Sequence, residues 1–213
     1  MVRKIVEKVP DEQLQKDLEK YRQRALELGA TDAKIITTDM VLIDDRVLAK
    51  CTYPKCPRYG TNVNCPPYAM GLEQVRKIVN NFQYATFIKL EVPSEETAGP
   101  EARDKNLDAP WRKKINEIAA KIEAEAFYDS YYLALAFGSG PCKSIFCPNT
   151  DCRALVPGQA CPHRLKARSP MEGVGMDVYT MATKVGWDIY PIGEATLPSE
   201  VPYGLRLALV LID

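Results

Sequence analysis

The sequence predicts an α/β fold in one domain, residues 1–213: a mixed central sheet flanked by helices, with cysteine-rich loops at 51–67 and 138–168, each placed between a strand and a helix. Three observations carry this. Short aliphatic runs such as ATFIKLEV and LRLALVLI alternate with segments whose apolar residues step by three and four. The order strand, helix, strand between Ala85 and Phe137 suggests a parallel crossover unit. Finally, all seven cysteines fall in two tight groups outside these runs.

From Asp11 to Leu28 the positions Leu14, Leu18, Tyr21, Ala25 and Leu28 form one apolar stripe, and Gly29 supplies a stop, so this is an amphipathic helix. AKIITTDMVLIDDRVLAK reads as a β-hairpin turning at Asp44-Asp45 and ending at Cys51. GLEQVRKIVNNF places Leu72, Val75, Ile78, Val79 and Phe82 on one helical face, and ATFIKLEV follows as a buried strand. The polar segment PSEETAGPEARDKNLDAP reads as a long loop: disorder, a lid or a partner contact.

A second long helix has Asp108 at its cap, Pro110 in its first turn, and Trp111, Ile115, Ile118, Ile122 and Ala126 as its stripe. YYLALAF is the next strand, leaving through Gly138-Ser139-Gly140, a turn without the Gly-Lys-Ser/Thr ending of a phosphate loop. Ser169-Pro170-Met171-Glu172 has the pattern of a capping box opening a helix that stops at Gly186, with WDIYPI and LRLALVLI as the last strands.

With 28 acidic and 28 basic side chains, no bulk charge argues for nucleic acid. No stretch reaches the length of a membrane span, and MVRKIVEKVPDEQ lacks the apolar run of a secretion signal, so the expected location is cytoplasmic. A chain of this length buries a core without staples, and in a reducing compartment its cysteines point to metal or redox chemistry rather than disulfides.

CTYPKCPRYGTNVNCPP, Cys51 to Pro67, carries Cys51, Cys56 and Cys65 as C-x4-C-x8-C, and CPNTDCRALVPGQACPH repeats the spacing with Cys147, Cys152 and Cys161. Cys142 completes the second set to four thiols. Four thiolates suit zinc or an iron–sulfur cluster; gaps of four and eight, with Cys-Pro junctions, favour a [4Fe–4S] cluster over the tight knuckles of zinc sites. Two cluster-binding loops are therefore expected, with zinc as the alternative.

The first set lacks a fourth thiol. Asn62, Asn64 or Tyr59 could fill the position, a cysteine of the second set could be shared, or an iron could stay open to water or substrate; sharing would strip the second site, which favours the other two. The one histidine, His163, reads as a hydrogen-bonding neighbour of the second set rather than a ligand. Lys55, Arg58, Lys143, Arg153, Arg164, Lys166 and Arg168 crowd both loops, where they would offset thiolate charge or receive an acidic partner; a solvated loop surface accounts for them nearly as well.

C-x4-C-x2-YG-x-N-x-NCPP, then GSGPC, then CPHRLKARSPMEGVGMDV resemble an uncharacterised prokaryotic family of predicted metal-binding proteins, domain of unknown function 2284. These segments cover 40 of the 213 residues, about a fifth of the chain. The order Ser169-Pro170 reverses the Pro-Ser expected in that pattern, with Ser169 kept as the cap. The resemblance implies metal or iron–sulfur binding in anaerobic bacteria and archaea and supplies no reaction. The expected function is one-electron transfer with a redox partner protein through two clusters; the alternatives are an enzyme whose open iron at the three-cysteine site meets a small molecule, and a zinc-stabilised binding module. Neither nucleic acid nor membrane is expected as a partner.

Overall fold

The computed structural model describes residues 2–213; Met1, the first residue of the expected domain span, lies outside the described residues. Helix α1 (Asp11–Glu27) buries Leu14, Leu18, Tyr21 and Ala25, as its periodicity predicts. Gly29 ends it in the left-handed region at φ +92°, where a side chain would be strained. Strand β1 (Asp32–Thr37) follows.

The expected hairpin does not form. A 3-10 turn at Thr38–Met40 interrupts the chain after β1, and Asp45–Thr52 is helix α2. The Asp44 carboxylate accepts from the Arg46 backbone N–H at 2.8 Å, so the residue read as a turn is a helix cap. Cys51 therefore sits in the last turn of a helix, and the first cysteine loop leaves a helix, not a strand.

Helix α3 (Leu72–Val79) and strand β2 (Tyr84–Pro93) come next. The polar segment is neither disordered nor a plain loop: it forms the short helices α4 (Ser94–Thr97) and α5 (Gly99–Asp104), which bury Ala98 and Ala102. Trp111 donates to Glu96 at 2.6 Å and ties them to the long helix α6 (Ala109–Tyr128). Asp108 stands at the cap position of α6, but its carboxylate is engaged by arginines instead of capping. Strand β3 is only Leu135–Phe137, followed by the five-residue helix α7 (Cys142–Phe146).

After the second cysteine loop the expected capping box fails. A 3-10 turn spans Glu172–Val174, Gly175 turns left-handed at φ +84°, and helix α8 (Val178–Lys184) starts later, its cap Asp177 accepting from the Thr180 N–H at 3.1 Å. WDIYPI is irregular: Trp187 turns inward onto Phe87, ring centroids 4.8 Å apart, and donates to Asp32 at 2.7 Å. Strand β4 (Tyr203–Ile212) closes the fold.

The sheet order is β1-β2-β4-β3, and every adjacent pair is antiparallel. Strands β2 and β3 do run in the same direction across α6, but β4 lies between them, so the expected crossover spans a neighbour and the sheet has no parallel ladder. Among the described residues, the one parallel pairing is an isolated bridge between Gly138 and Pro170. Both faces are covered, which explains the unbroken apolar run of β4 from Leu207 to Ile212: Ala208, Val210 and Ile212 join the core under α1 and α6, while Leu207, Leu209 and Leu211 join the core under α3 and α8.

Between the middle of α1 and the C-terminal end of α6 lies a buried ionic knot. Asp17, 1% exposed, accepts from Arg3 at 2.8 Å and from Tyr131 at 2.9 Å, and Asp129 accepts from Tyr21 at 2.8 Å and from Lys20. Burial pushes the Asp17 carboxyl up, but the hydrogen bonds from Arg3 and Tyr131 outweigh it and hold it below its ordinary range. The native state thus binds this proton less readily than the unfolded chain, so its stabilisation is complete above the ordinary carboxyl pKa of 3.8 and is lost as pH falls through the lower native value. Asp17→Asn should reduce unfolding free energy by about 1–3 kcal/mol at neutral pH. Urea titrations should also show that the variant loses less stability than the parent on going to acid.

Candidate metal centre

The loop of residues 138–168 begins and ends at one point. The Gly138 N–H donates to the Ser169 carbonyl at 2.9 Å, and the Met171 N–H donates to the Gly138 carbonyl at 3.0 Å. Gly138 is required by packing: a Cβ there would lie 1.9 Å from Asn116 Oδ1. Asn116 is itself fixed, donating to the carbonyls of Arg112 and Ser139 at 2.7 and 2.9 Å. Farther along, Glu123 of α6 accepts from the Ala136 N–H of edge strand β3 at 2.7 Å and from Arg168 Nε at 2.9 Å, fastening the return of the same loop.

The first loop is held by its own backbone. Cys56 N–H donates to the Cys51 carbonyl at 3.0 Å, and Gly60 N–H donates to the Pro66 carbonyl at 2.8 Å. The 3-10 turn at Glu172–Val174 lies behind α2, which is anchored by the Asp44 N–H donating to the Gly175 carbonyl at 2.9 Å.

These constraints bring each cysteine set around its own cavity. Cys51, Cys56 and Cys65 line a space of about 390 Å³ together with Arg58, Arg112, Arg206, Glu172 and the turn at Ser139–Pro141. Cys142, Cys147, Cys152 and Cys161 line a separate space of about 20 Å³ with Asn62, Phe146 and His163. Among the described residues, no three His, Cys, Asp or Glu side chains are gathered so closely that they would hold a single ion as they stand.

Asn62 and Asn64, considered as ligands of the first set, face the second. Asn64 Nδ2 donates to Cys142 Sγ at 3.4 Å, and the Cys142 thiol donates to Asn62 Oδ1 at 3.5 Å. Asn62 is fully buried, and its carbonyl also accepts from the Cys65 N–H at 3.4 Å, so this residue spans from one cysteine set to the other. Tyr59 remains on the wall of the three-thiol cavity. His163 stacks its ring on Phe146, centroids 5.5 Å apart, at the edge of the four-thiol cavity.

Burial and the neighbouring thiols Cys56 and Cys65 raise the Cys51 thiol; burial also raises Cys65, against a hydrogen bond from Asn62 that lowers it. Burial pushes Cys142 up to about 11, again against a lowering hydrogen bond, from Asn64. These thiols are neutral in the metal-free protein, so binding a metal must release their protons and is favoured as pH rises. Thiol donors in sets of three and four fit zinc or an iron–sulfur cluster and do not fit hard cations such as Mg²⁺.

The basic residues divide. Arg168 and Lys166 are paired with Glu123 and Glu117, away from thiols, whereas Lys143 and Arg153 line the four-thiol cavity and Arg58 the three-thiol cavity. Sequence reasoning missed Arg112, Arg206 and Glu172, which arrive from α6, β4 and the 3-10 turn. Arg206 did leave a signal, a lone charge inside the otherwise apolar LRLALVLI. Its Nε and Nη2 donate to both oxygens of Asp108 at 2.7 and 2.6 Å, and Arg112 Nε lies 2.9 Å from the same carboxylate. Burial lowers the Arg112 pKa, as do the nearby charges of Arg206 and Arg58, while Asp108 raises it.

Fold and site together define a cysteine-centred α/β protein with two thiol-lined cavities at one end of its sheet. A family model described as "Predicted metal-binding protein (DUF2284)" matches residues 34–212, and the chain belongs to that family. No curated protein and no solved structure matches the chain. No helix among the described residues is long and apolar enough to cross a membrane.

In metal-free protein at about pH 8, iodoacetamide should modify Cys142 and Cys65 roughly tenfold more slowly than the half-buried Cys152 and Cys161, because burial restricts access to Cys142 and Cys65 and raises their thiols. Peptide mass spectrometry over time reads the order, and equal rates at Cys142 and Cys152 would contradict the arrangement described.

Proposed function

We propose that this is an iron–sulfur protein with two [4Fe–4S]-type centres that exchanges single electrons with a redox partner. Cys142, Cys147, Cys152 and Cys161 would hold a complete centre, and Cys51, Cys56 and Cys65 a second one whose remaining position faces the 390 Å³ cavity. The observation that carries this reading is the division of the thiols into two cavities joined through Asn62. When bound, such clusters supply one-electron oxidation and reduction.

The chain's own residues support that role. Asn64 Nδ2 points a hydrogen bond at Cys142 Sγ, which stabilises the thiolate form of a sulfur that burial otherwise keeps protonated. Lys143 and Arg153 on the four-thiol wall and Arg58 on the three-thiol wall offset thiolate charge. Thiolates sharing one zinc at about 2.3 Å stand within roughly 4 Å of one another. No three of the described side chains are gathered in that way, so the thiols must draw together around whichever metal they take.

A second reading assigns zinc to the four-thiol centre alone. Its cavity of about 20 Å³ is close to the space of a single water, so a cluster there requires the loop around Cys147, Cys152 and Cys161 to move outward. The three-thiol centre has no such restriction, and its open side gives room for a small molecule to meet the metal, the arrangement an enzyme would use.

Anaerobic purification followed by iron, sulfide and zinc analysis separates these readings. Two clusters give about eight irons and eight sulfides per chain, falling to about four of each when Cys51, Cys56 and Cys65 are all replaced by serine. Iron confined to the three-thiol site with one zinc elsewhere supports the second reading. Zinc alone, with no visible absorption, overturns the iron–sulfur assignment.

A further inference from the structure

We propose that the three-cysteine cavity binds the oxyanion group, carboxylate or phosphate, of a small molecule, held by Arg58 and Arg112 beside the thiols. This rests on the reading of that cavity as the open side of a metal centre, and it supplies the class of ligand that would approach it.

The arginines on its wall have more donors than the protein satisfies. Arg206 is committed: Nε and Nη2 to Asp108, and Nη1 to the Leu205 carbonyl at 3.0 Å. Arg112 contacts Asp108 through Nε and Asn106 through Nη2, and its Nη1 meets no acceptor among the described residues. The guanidinium of Arg58 meets none at all among the described residues, although it lines the same cavity. Planar guanidinium forks match carboxylate and phosphate oxygens, so unfilled forks on one cavity wall point to that chemistry.

The charge on the wall has the right sign. Three guanidinium groups face two carboxylates, Asp108 and Glu172, and Asp108 is already engaged by two of the three. Glu172 forms no ion pair among the described residues and lies where this cavity meets two neighbouring ones, on the side of the committed Arg206.

Shape agrees as well. Gly140 lets the turn lie directly on Arg112, since a Cβ there would come 2.9 Å from Arg112 Cδ; this fixes where the guanidinium can reach. Pro66, Pro141 and Pro170 stiffen the remaining wall, and about 390 Å³ lies within the roughly 300–1,000 Å³ range of small-molecule sites.

Isothermal titration calorimetry at constant ionic strength tests the proposal on the full chain, in metal-loaded and metal-free samples whose iron content is measured separately. The probes are inorganic phosphate, acetate and succinate. One-to-one saturable binding of at least one probe is expected, weakened about tenfold or more in both Arg58→Gln and Arg112→Gln. Arg58 is exposed and its guanidinium makes no hydrogen bond or ion pair among the described residues, so its variant remains informative if Arg112→Gln fails to fold. Phosphate binding without carboxylate binding, or the reverse, identifies the group. Absence of saturable binding in both samples, or binding that Arg58→Gln leaves unchanged, overturns the proposal, while the iron content reports on the metal reading independently.

Discussion

The cysteine-bearing end of this protein depends on one backbone clamp, the pair of hydrogen bonds by which Gly138 holds Ser169 and Met171. The thirty residues between them, regular only in the short helix α7 and a 3-10 turn at Arg153–Leu155, carry four of the seven thiols. Such a segment keeps one shape only if its ends are fixed and its interior is tied at intervals. Asn116, buried in α6 against Gly138, and Glu123, holding both Ala136 and Arg168, make that fixation a property of the sheet and helix layer. Metal binding then has to order a loop whose ends are already placed.

The second cysteine set is joined to the first through Asn62 and Asn64. These amides sit where two thiol groups and a buried backbone meet, and each buried polar atom must find a partner or cost free energy. Asn62 is fully buried and touches Cys65 through its carbonyl and Cys142 through its side chain. The two thiol sets are therefore linked, the environment of the Cys142 sulfur being set partly by the loop that carries the other set. Their surroundings differ: the four-thiol cavity is small and closed by Phe146 and His163, whereas the three-thiol cavity is wide and edged by arginines from three parts of the chain.

Most of the regular structure was legible because both layers of helices imprint the three-and-four spacing on the sequence, and β4, buried on both faces, is an uninterrupted apolar run from Leu207 to Ile212. The failures were local contests. β-branched residues around Val41 suggested a strand, but an aspartate cap at Asp44 started a helix, a choice propensity alone does not resolve. Ser169 had the pattern of a helix cap, but the backbone there pairs with Gly138 and Asp177 takes the role. The grouping of the cysteines could be read from spacing; the direction of Asn62 and Asn64 could not, because it depends on a contact with Cys142 some eighty positions away. Arg112 and Glu172 were invisible for the same reason, being placed by tertiary packing alone.

The central claim is that seven thiols form two distinct centres, three on one and four on the other, with no cysteine shared. Anomalous diffraction at the metal absorption edge, from crystals of anaerobically prepared protein, addresses it directly. The account predicts two separate metal peaks, one enclosed by Cys51, Cys56 and Cys65 and one by Cys142, Cys147, Cys152 and Cys161, with Asn62 between them. A single peak, or a metal coordinated by thiols from both sets, would contradict it.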